Sequence, residues 1–235
     1  MLSEESQRSD AALIFGISSA DAKPEGVRPH NSAVFVTPEA GLTGRYDKMH
    51  LVPFGEYVPS LFSFVNQVSD EAGAYTPGES LVTMPLNGHT VGTFICYESA
   101  VGHHVRNFAA AGATAFFNLS NDGYFFRTPA REQHLQLVRM RAAENRRWIV
   151  RATNNGISAV IDPAGQVREE LPSFDARSAR VAFGFVNEVT VFSKAGDWFP
   201  ILGALLVLAA LIASQLPHYT KPVKAAPRLK SKSPQ

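Results

Sequence analysis

Residues 90–119, TVGTFICYESAVGHHVRNFAAAGATAFFNL, decide the fold. The run 90–96 is short, apolar and β-branched, which reads as a buried strand ending at Cys96. Residues 100–111 read as a helix, and 113–119 form a second apolar strand that gives way to the polar loop Ser120-Asn-Asp-Gly123. A side chain on a strand-to-helix turn is presented at the edge of a sheet, and backbone N–H groups at the start of the following helix can stabilise a thiolate or an oxyanion. A lone cysteine is also often a small buried apolar residue, so Cys96 is a candidate nucleophile by position rather than by type.

Working outward, 11–17 (AALIFGI) and 32–37 (SAVFVT) read as strands, with a loop over 22–29 marked by Pro, Glu, Gly and Pro. Residues 53–80 hold Pro53, Pro59, Pro77 and several glycines, which predicts a long irregular excursion with at most a short helix around 61–65. Downstream, Pro129 opens a helix over 129–148, with Leu135, Val138 and Ala142 at helical spacing. Residues 149–153, 157–161 and 167–171 read as strands, the last two joined by the turn Asp162-Pro-Ala-Gly165. Strands alternating with helices and ending in hairpins predict a layered α/β domain. With 235 residues, 45% hydrophobic and 18% charged, the chain can bury one sizeable core, and wholesale disorder, collagen and coiled coil are excluded.

Charge is distributed unevenly. Residues 217–235 carry Lys221, Lys224, Arg228, Lys230 and Lys232 and no acid, which leaves 17 Lys and Arg against 21 Asp and Glu, a net charge of −4, in the remainder. An acidic body is not expected to bind nucleic acid. From Trp198 to Thr220 there is no Asp, Glu, Lys or Arg, and Trp198, Phe199 and Tyr219 stand at the ends of the run as interface anchors. The expectation is a domain over 1–197, a membrane span over 198–220 and a basic tail over 221–235, with the tail cytoplasmic by the positive-inside rule and the domain on the periplasmic side.

A second constellation lies in Arg45-Tyr-Asp-Lys-Met-His-Leu-Val-Pro-Phe-Gly-Glu-Tyr-Val-Pro59. Lys48 and Glu56 flank an apolar, proline-punctuated stretch, which suits charged groups held in a shaped pocket as well as an ordinary surface loop. A lysine buried beside a thiol favours the thiolate and the negative oxygen of a tetrahedral intermediate. Asn118, Asn121, Asp122, Asn154 and Asn155 fall at predicted strand ends, where they can line a pocket or cap turns. His103, His104 and His134 lack partners at metal-ligand spacing and one cysteine cannot build a structural zinc site, so no metal is expected. Phe54, Phe62, Phe64, Phe125 and Phe126 read equally as lipid-facing or core residues.

The segments 46–59, Ile95-Cys-Tyr-Glu98, Ser120-Asn-Asp122 and Arg151-Ala-Thr-Asn-Asn-Gly-Ile-Ser158 together resemble the apolipoprotein N-acyltransferase family, a membrane-bound branch of the nitrilase, or carbon-nitrogen hydrolase, superfamily. The resemblance implies an α-β-β-α sandwich, a monomer without cofactor, and a Glu-Lys-Cys site at the bacterial inner membrane. It implies Cys96 as the nucleophile that takes an acyl chain from phospholipid as a thioester. Lys48 and the backbone N–H of Tyr97 would hold the oxyanion, Glu56 and Glu98 would orient the lysine and incoming groups, and Asn121 and Asp122 would contact substrate. The acceptor would be the α-amino group of a diacylglyceryl-cysteine apolipoprotein. The family's general base is a glutamate in a Trp-Pro-Glu type motif, for which Glu4 and Glu5 are poor substitutes. Residues 1–10 (MLSEESQRSD) look like the tail of a helix that would follow that motif. The sequence therefore resembles the C-terminal part of the enzyme, and without the upstream strand an open sheet edge and poor stability are expected. Two further readings stand beside this one: a membrane-tethered amidase acting on a small amide, and a non-catalytic remnant that binds lipid.

Overall fold

The computed structural model describes residues 2–24, 26–59 and 75–215. Helix α1 (Leu2–Ser9) leads into strands β1 (Leu13–Lys23), β2 (Gly26–Thr37) and β3 (Gly41–Asp47), which form an antiparallel sheet in that order. The segment 22–29, read above as a loop, instead extends the β1–β2 hairpin, with Ala22 opposite Val27 and Pro29 opposite Ala20. Proline is accommodated because β2–β3 pairing reaches only to Ser32–Asp47, so no ladder on the far side of Pro29 needs its missing N–H.

A second sheet holds six strands in sequence order: β4 (Thr83–Leu86), β5 (His89–Ile95), β6 (Ala115–Ser120), β7 (Trp148–Thr153), β8 (Ser158–Ile161) and β9 (Val167–Leu171). Strands β5, β6 and β7 are parallel, and their crossovers are the helices α2 (Gly102–Ala110) and α3 (Ala130–Asn145). The outer pairs are antiparallel. The β4–β5 hairpin turns on Asn87-Gly88, both at positive φ (48° and 77°), as a two-residue hairpin turn requires.

The two sheets face each other, β2 against β5 and β1 against β6, while α1 packs on β2 and β3 and α2 packs on β5. This is the expected α-β-β-α sandwich. Its core is filled by Phe94, Phe108, Phe116, Val138, Ile149 and Ile161, all buried. Helix α3 ends three residues before the predicted limit, because Arg146 adopts the left-handed conformation (φ 50°) and turns the chain. That turn buries Arg147, whose Nε donates to the Ala113 carbonyl at 2.6 Å.

The chain divides into two units, Met1–Gly196 and Asp197–Gln235. The first also contains the short helix α4 (Val191–Ala195). In the second, helix α5 (Trp198–Gln215) has 18 residues and a mean hydropathy of 1.9, long and apolar enough to cross a membrane. The expected span runs to residue 220; residues 216–235, like the apolar piece 61–65 with Phe62 and Phe64, lie outside the described residues.

Gly92 marks where α2 lies closest to the sheet, since a Cβ there would stand 2.7 Å from Phe108 Cβ. Gly92→Ala is expected to destabilise the domain by about 1–3 kcal/mol through overpacking, read as a lower thermal midpoint. An unchanged midpoint would show that α2 can move away at no cost.

Candidate active site

Lys48 follows β3 directly, anchored by its N–H to the Asn31 carbonyl at 2.8 Å. The side chain is almost wholly buried, and Nζ donates to Glu56 Oε2 at 2.7 Å. Glu56 Oε2 also accepts the Val52 N–H (2.8 Å), and Oε1 accepts from Asn31 Nδ2 (2.7 Å). A buried ammonium is tolerated only with a well-bonded counter-charge, and Glu56 supplies it. The two charges in residues 45–59 are thus paired and shielded from solvent rather than set on an ordinary surface loop.

Cys96 directly follows β5 and opens a 3-10 turn, Cys96–Ala100. Its φ of 50° lies in the left-handed region, a conformation that residues with a Cβ keep only where their surroundings impose it. Glu98, completely buried, does much of the imposing. Its Oε2 accepts the Ile95 N–H at 2.7 Å, and its Oε1 accepts Tyr46 Oη–H (2.6 Å) and the N–H groups of Met49 (2.8 Å) and His50 (3.1 Å). One carboxylate therefore ties the end of β5, next to Cys96, to the segment that follows Lys48. Burial pushes the Glu98 carboxyl upward, and these four donors work against that rise.

Glu98, expected to orient the lysine and incoming groups, is placed by this geometry inside the fold rather than on the open side of the cleft. Both of its oxygens face inward and are spent on the fold. Tyr46 has one hydroxyl proton, and giving it to Glu98 leaves the oxygen to accept from His104 Nε2 at 2.9 Å. His104 suits that neutral donor role, since burial and then the neighbouring His50 and His103 hold it down to about 4.

The residues that follow Lys48 and Cys96 open onto one cleft of about 600 Å³: Met49 and His50 after Lys48, and Tyr97 after Cys96, together with Leu51, Tyr57 and His103. Phe54 and Phe126 are exposed, whereas Phe125 packs edge-on against His134. Among the described residues no group of three or more His, Cys, Asp or Glu could hold a metal ion.

Beneath this lies a second buried network that the sequence did not reveal. Arg151, on β7, donates from Nη2 to Asp122 Oδ2 at 2.6 Å, from Nε to the Ile157 carbonyl at 3.1 Å, and from Nη1 to Asn118 Oδ1. Asp122 Oδ1 accepts from Ser120 Oγ (2.6 Å) and lies 3.1 Å from His134 Nδ1. Asp122 was expected to touch substrate; fully buried in this ion pair, it holds the strand ends instead. Asn121 is exposed, and its Oδ1 accepts the Gly123 N–H and Asn154 Nδ2 and builds the loop. Asn154 Oδ1 in turn accepts the Asp122 N–H. Asn118 Nδ2 donates to the Phe94 carbonyl.

A sequence model of carbon-nitrogen hydrolases matches residues 1–181. The chain belongs to the carbon-nitrogen hydrolase family. Within it the chain is similar to the apolipoprotein N-acyltransferase of Geobacter metallireducens, 31% identical over 211 residues that cover 88% of this chain and 40% of the relative. It is also similar to that of Ralstonia nicotianae, 38% identical over 208 residues that cover 86% and 39%. The chain thus spans about two fifths of the length of the curated relatives it matches. Among solved structures it is similar in fold to Saccharomyces cerevisiae Nit3, a nitrilase-superfamily member, with a TM-score of 0.57 and 22% identity over 73% of this chain and 59% of that one. An amidase from Nesterenkonia sp. gives a TM-score of 0.57 and 21% identity over 87% and 70%.

The Asp122 network predicts an acid dependence. Burial alone would raise this carboxyl, but the His134 contact, the Arg151 charge and the Ser120 hydroxyl outweigh it and hold Asp122 down to about 2, against an ordinary 3.8. Its contribution, about 2 kcal/mol, is present above pH 4 and is lost as the pH falls toward 2. Denaturation curves of Asp122→Asn should lose that segment of acid dependence. A variant that keeps the unsubstituted chain's slope would assign it elsewhere.

Proposed function

We propose that this chain is the nucleophile-bearing part of an apolipoprotein N-acyltransferase. The observation that carries the reading is the Glu98 clamp, which ties the turn at a strained Cys96 to the segment after the buried Lys48–Glu56 pair, beside a cleft lined by Met49, His50 and Tyr97. In the first step the Cys96 thiolate attacks the ester carbonyl of a phospholipid acyl chain. A C–S bond forms as the C=O electron pair moves to oxygen, and collapse expels the lysophospholipid alkoxide, which takes up a proton. The transient oxyanion is held by Lys48, which has three donors of which Glu56 engages one, and by the N–H of Tyr97, in the first turn of the 3-10 segment where no intrahelical acceptor is in reach. In the second step the α-amine of a diacylglyceryl-cysteine apolipoprotein attacks the thioester, a C–N bond forms, and the thiolate leaves.

Both steps need a base, for the thiol and then for the amine. Glu56 is engaged by Lys48, Val52 and Asn31, and Glu98 by its four donors, so neither is available. The reading assigns this task to a glutamate of the Trp-Pro-Glu type contributed from outside residues 1–235. Helix α5 supports a lipid donor over a soluble amide, since an anchored site receives acyl chains directly from the bilayer. The five cations after it favour a cytoplasmic tail and a periplasmic domain at the inner membrane.

The test is incubation with phospholipid vesicles followed by mass spectrometry of the Cys96 peptide for a hydroxylamine-sensitive acyl group. The chain alone is expected to acquire little and to be acylated once the glutamate-bearing segment is supplied. Lys48→Met should then reduce acylation by at least about 100-fold. An acyl group on another residue, or Lys48→Met acylating at the unsubstituted rate, would overturn the assignment.

A further inference from the structure

Resting on the acyl-transfer reading, the inference concerns what aims the oxyanion donor. His134, on α3 and buried, points Nε2 at the backbone carbonyl of Cys96, 3.1 Å away. A carbonyl oxygen only accepts, so Nε2 must carry a proton. Both arrangements open to the other nitrogen meet that condition. Nδ1 either donates to Asp122 Oδ1 at 3.1 Å, making the ring an imidazolium, or accepts from Arg151 Nη2 at 3.2 Å, making it the Nε2–H tautomer. The ring is further fixed by the edge of Phe125, with centroids 5.4 Å apart.

The Cys96 carbonyl and the Tyr97 N–H are two ends of one planar peptide. Gripping the oxygen therefore fixes the direction of the N–H, and a hydrogen bond at the carbonyl polarises the amide and strengthens its donor. We infer that His134 is a positioning residue for the oxyanion site, orienting and polarising the Cys96–Tyr97 peptide through its Nε2–H. Arg151 and Asp122 hold the ring in place. The same bond helps to maintain Cys96 at its positive φ.

The sequence contains a single cysteine, which makes a direct test possible. In the full chain labelled with [1-13C]cysteine and [15N]tyrosine, the Cys96–Tyr97 peptide is the one place where labelled carbon is bonded to labelled nitrogen, so a carbonyl–amide correlation spectrum shows one cross-peak. His134→Asn keeps an amide beside Asp122 but falls short of the Cys96 carbonyl, whereas His134→Gln keeps an N–H at that reach. The cross-peak should move upfield in carbon for Asn and return part-way for Gln.

A paired kinetic readout uses pH above the ordinary thiol range of about 8.5, where no base is needed. Acylation of Cys96 by p-nitrophenyl butyrate passes through an oxyanion, and alkylation by iodoacetamide does not. His134→Asn should slow acylation about 10- to 100-fold while alkylation stays within about threefold, with Gln recovering part of the loss. A cross-peak that stays in place in folded His134→Asn, or acylation and alkylation falling together, would overturn the inference. An unsubstituted chain that is alkylated yet never acylated would instead defeat the acyl-transfer reading, and the cross-peak would still decide whether His134 holds this peptide.

Discussion

The Glu98 carboxylate accepts N–H groups from both sides of the cleft, Ile95 at the end of β5 and Met49 and His50 beyond β3, with the Tyr46 hydroxyl as a fourth donor. Ionised carboxylates are acceptors alone, with room for about four such bonds, and this one makes four within the fold. The consequence is geometric. The two sheets of the sandwich are joined at the point where Lys48 and Cys96 leave their strands, and the chain between Ile95 and Glu98 must turn sharply enough to bring the carboxylate back to its own backbone. The positive φ of Cys96 is part of that turn. Burying a charge this deeply is unfavourable in itself, and the donors make it tolerable. Removal of one partner would leave the others uncompensated.

A second carboxylate does the same work one layer away. Asp122 joins the ends of β6 and β7 through Arg151 and reaches the Cys96 carbonyl through His134. Three acids near the site thus have distinct tasks set by their surroundings. Glu56 balances the lysine, Glu98 fixes the turn at Cys96, and Asp122 fixes the loop and ring behind it. Each is occupied by its own donors, which is why the reading looks outside them for a proton acceptor.

The core strands were legible because their apolar runs are bounded by clear turn residues, as at 90–96 and 113–119. Cys96, Lys48 and Glu56 stand out in the sequence as candidates because a thiol at a strand end and charges inside an apolar, proline-rich stretch are both unusual. Strand β3 was missed because Gly41, Gly44, Arg45 and Asp47 break the alternation, and β4 because Pro85 argues against a strand, although Asn87-Gly88 was a hairpin signal in plain view. The hairpin over 22–29 was hidden by its prolines, which harm a ladder only on a side that is paired. Arg151 carried an unread signal. A charged residue inside the apolar run Trp148-Ile-Val-Arg151 must find a buried acid, and Asp122 is that acid. The sequence offers His134 only as a possible metal ligand, and nothing in its spacing points to a carbonyl 38 positions earlier.

The central claim is that one carboxylate closes both walls of the cleft. Amide hydrogen exchange at Met49, His50 and Ile95 tests it directly, because opening a shared acceptor exposes all three donors at once. The account predicts that these amides exchange slowly and at a common rate, and that Glu98→Gln accelerates all three while Phe116 in the core keeps its protection. Rapid exchange at Met49 and His50 beside a protected Ile95 would mean that the clamp is open, and would contradict the account.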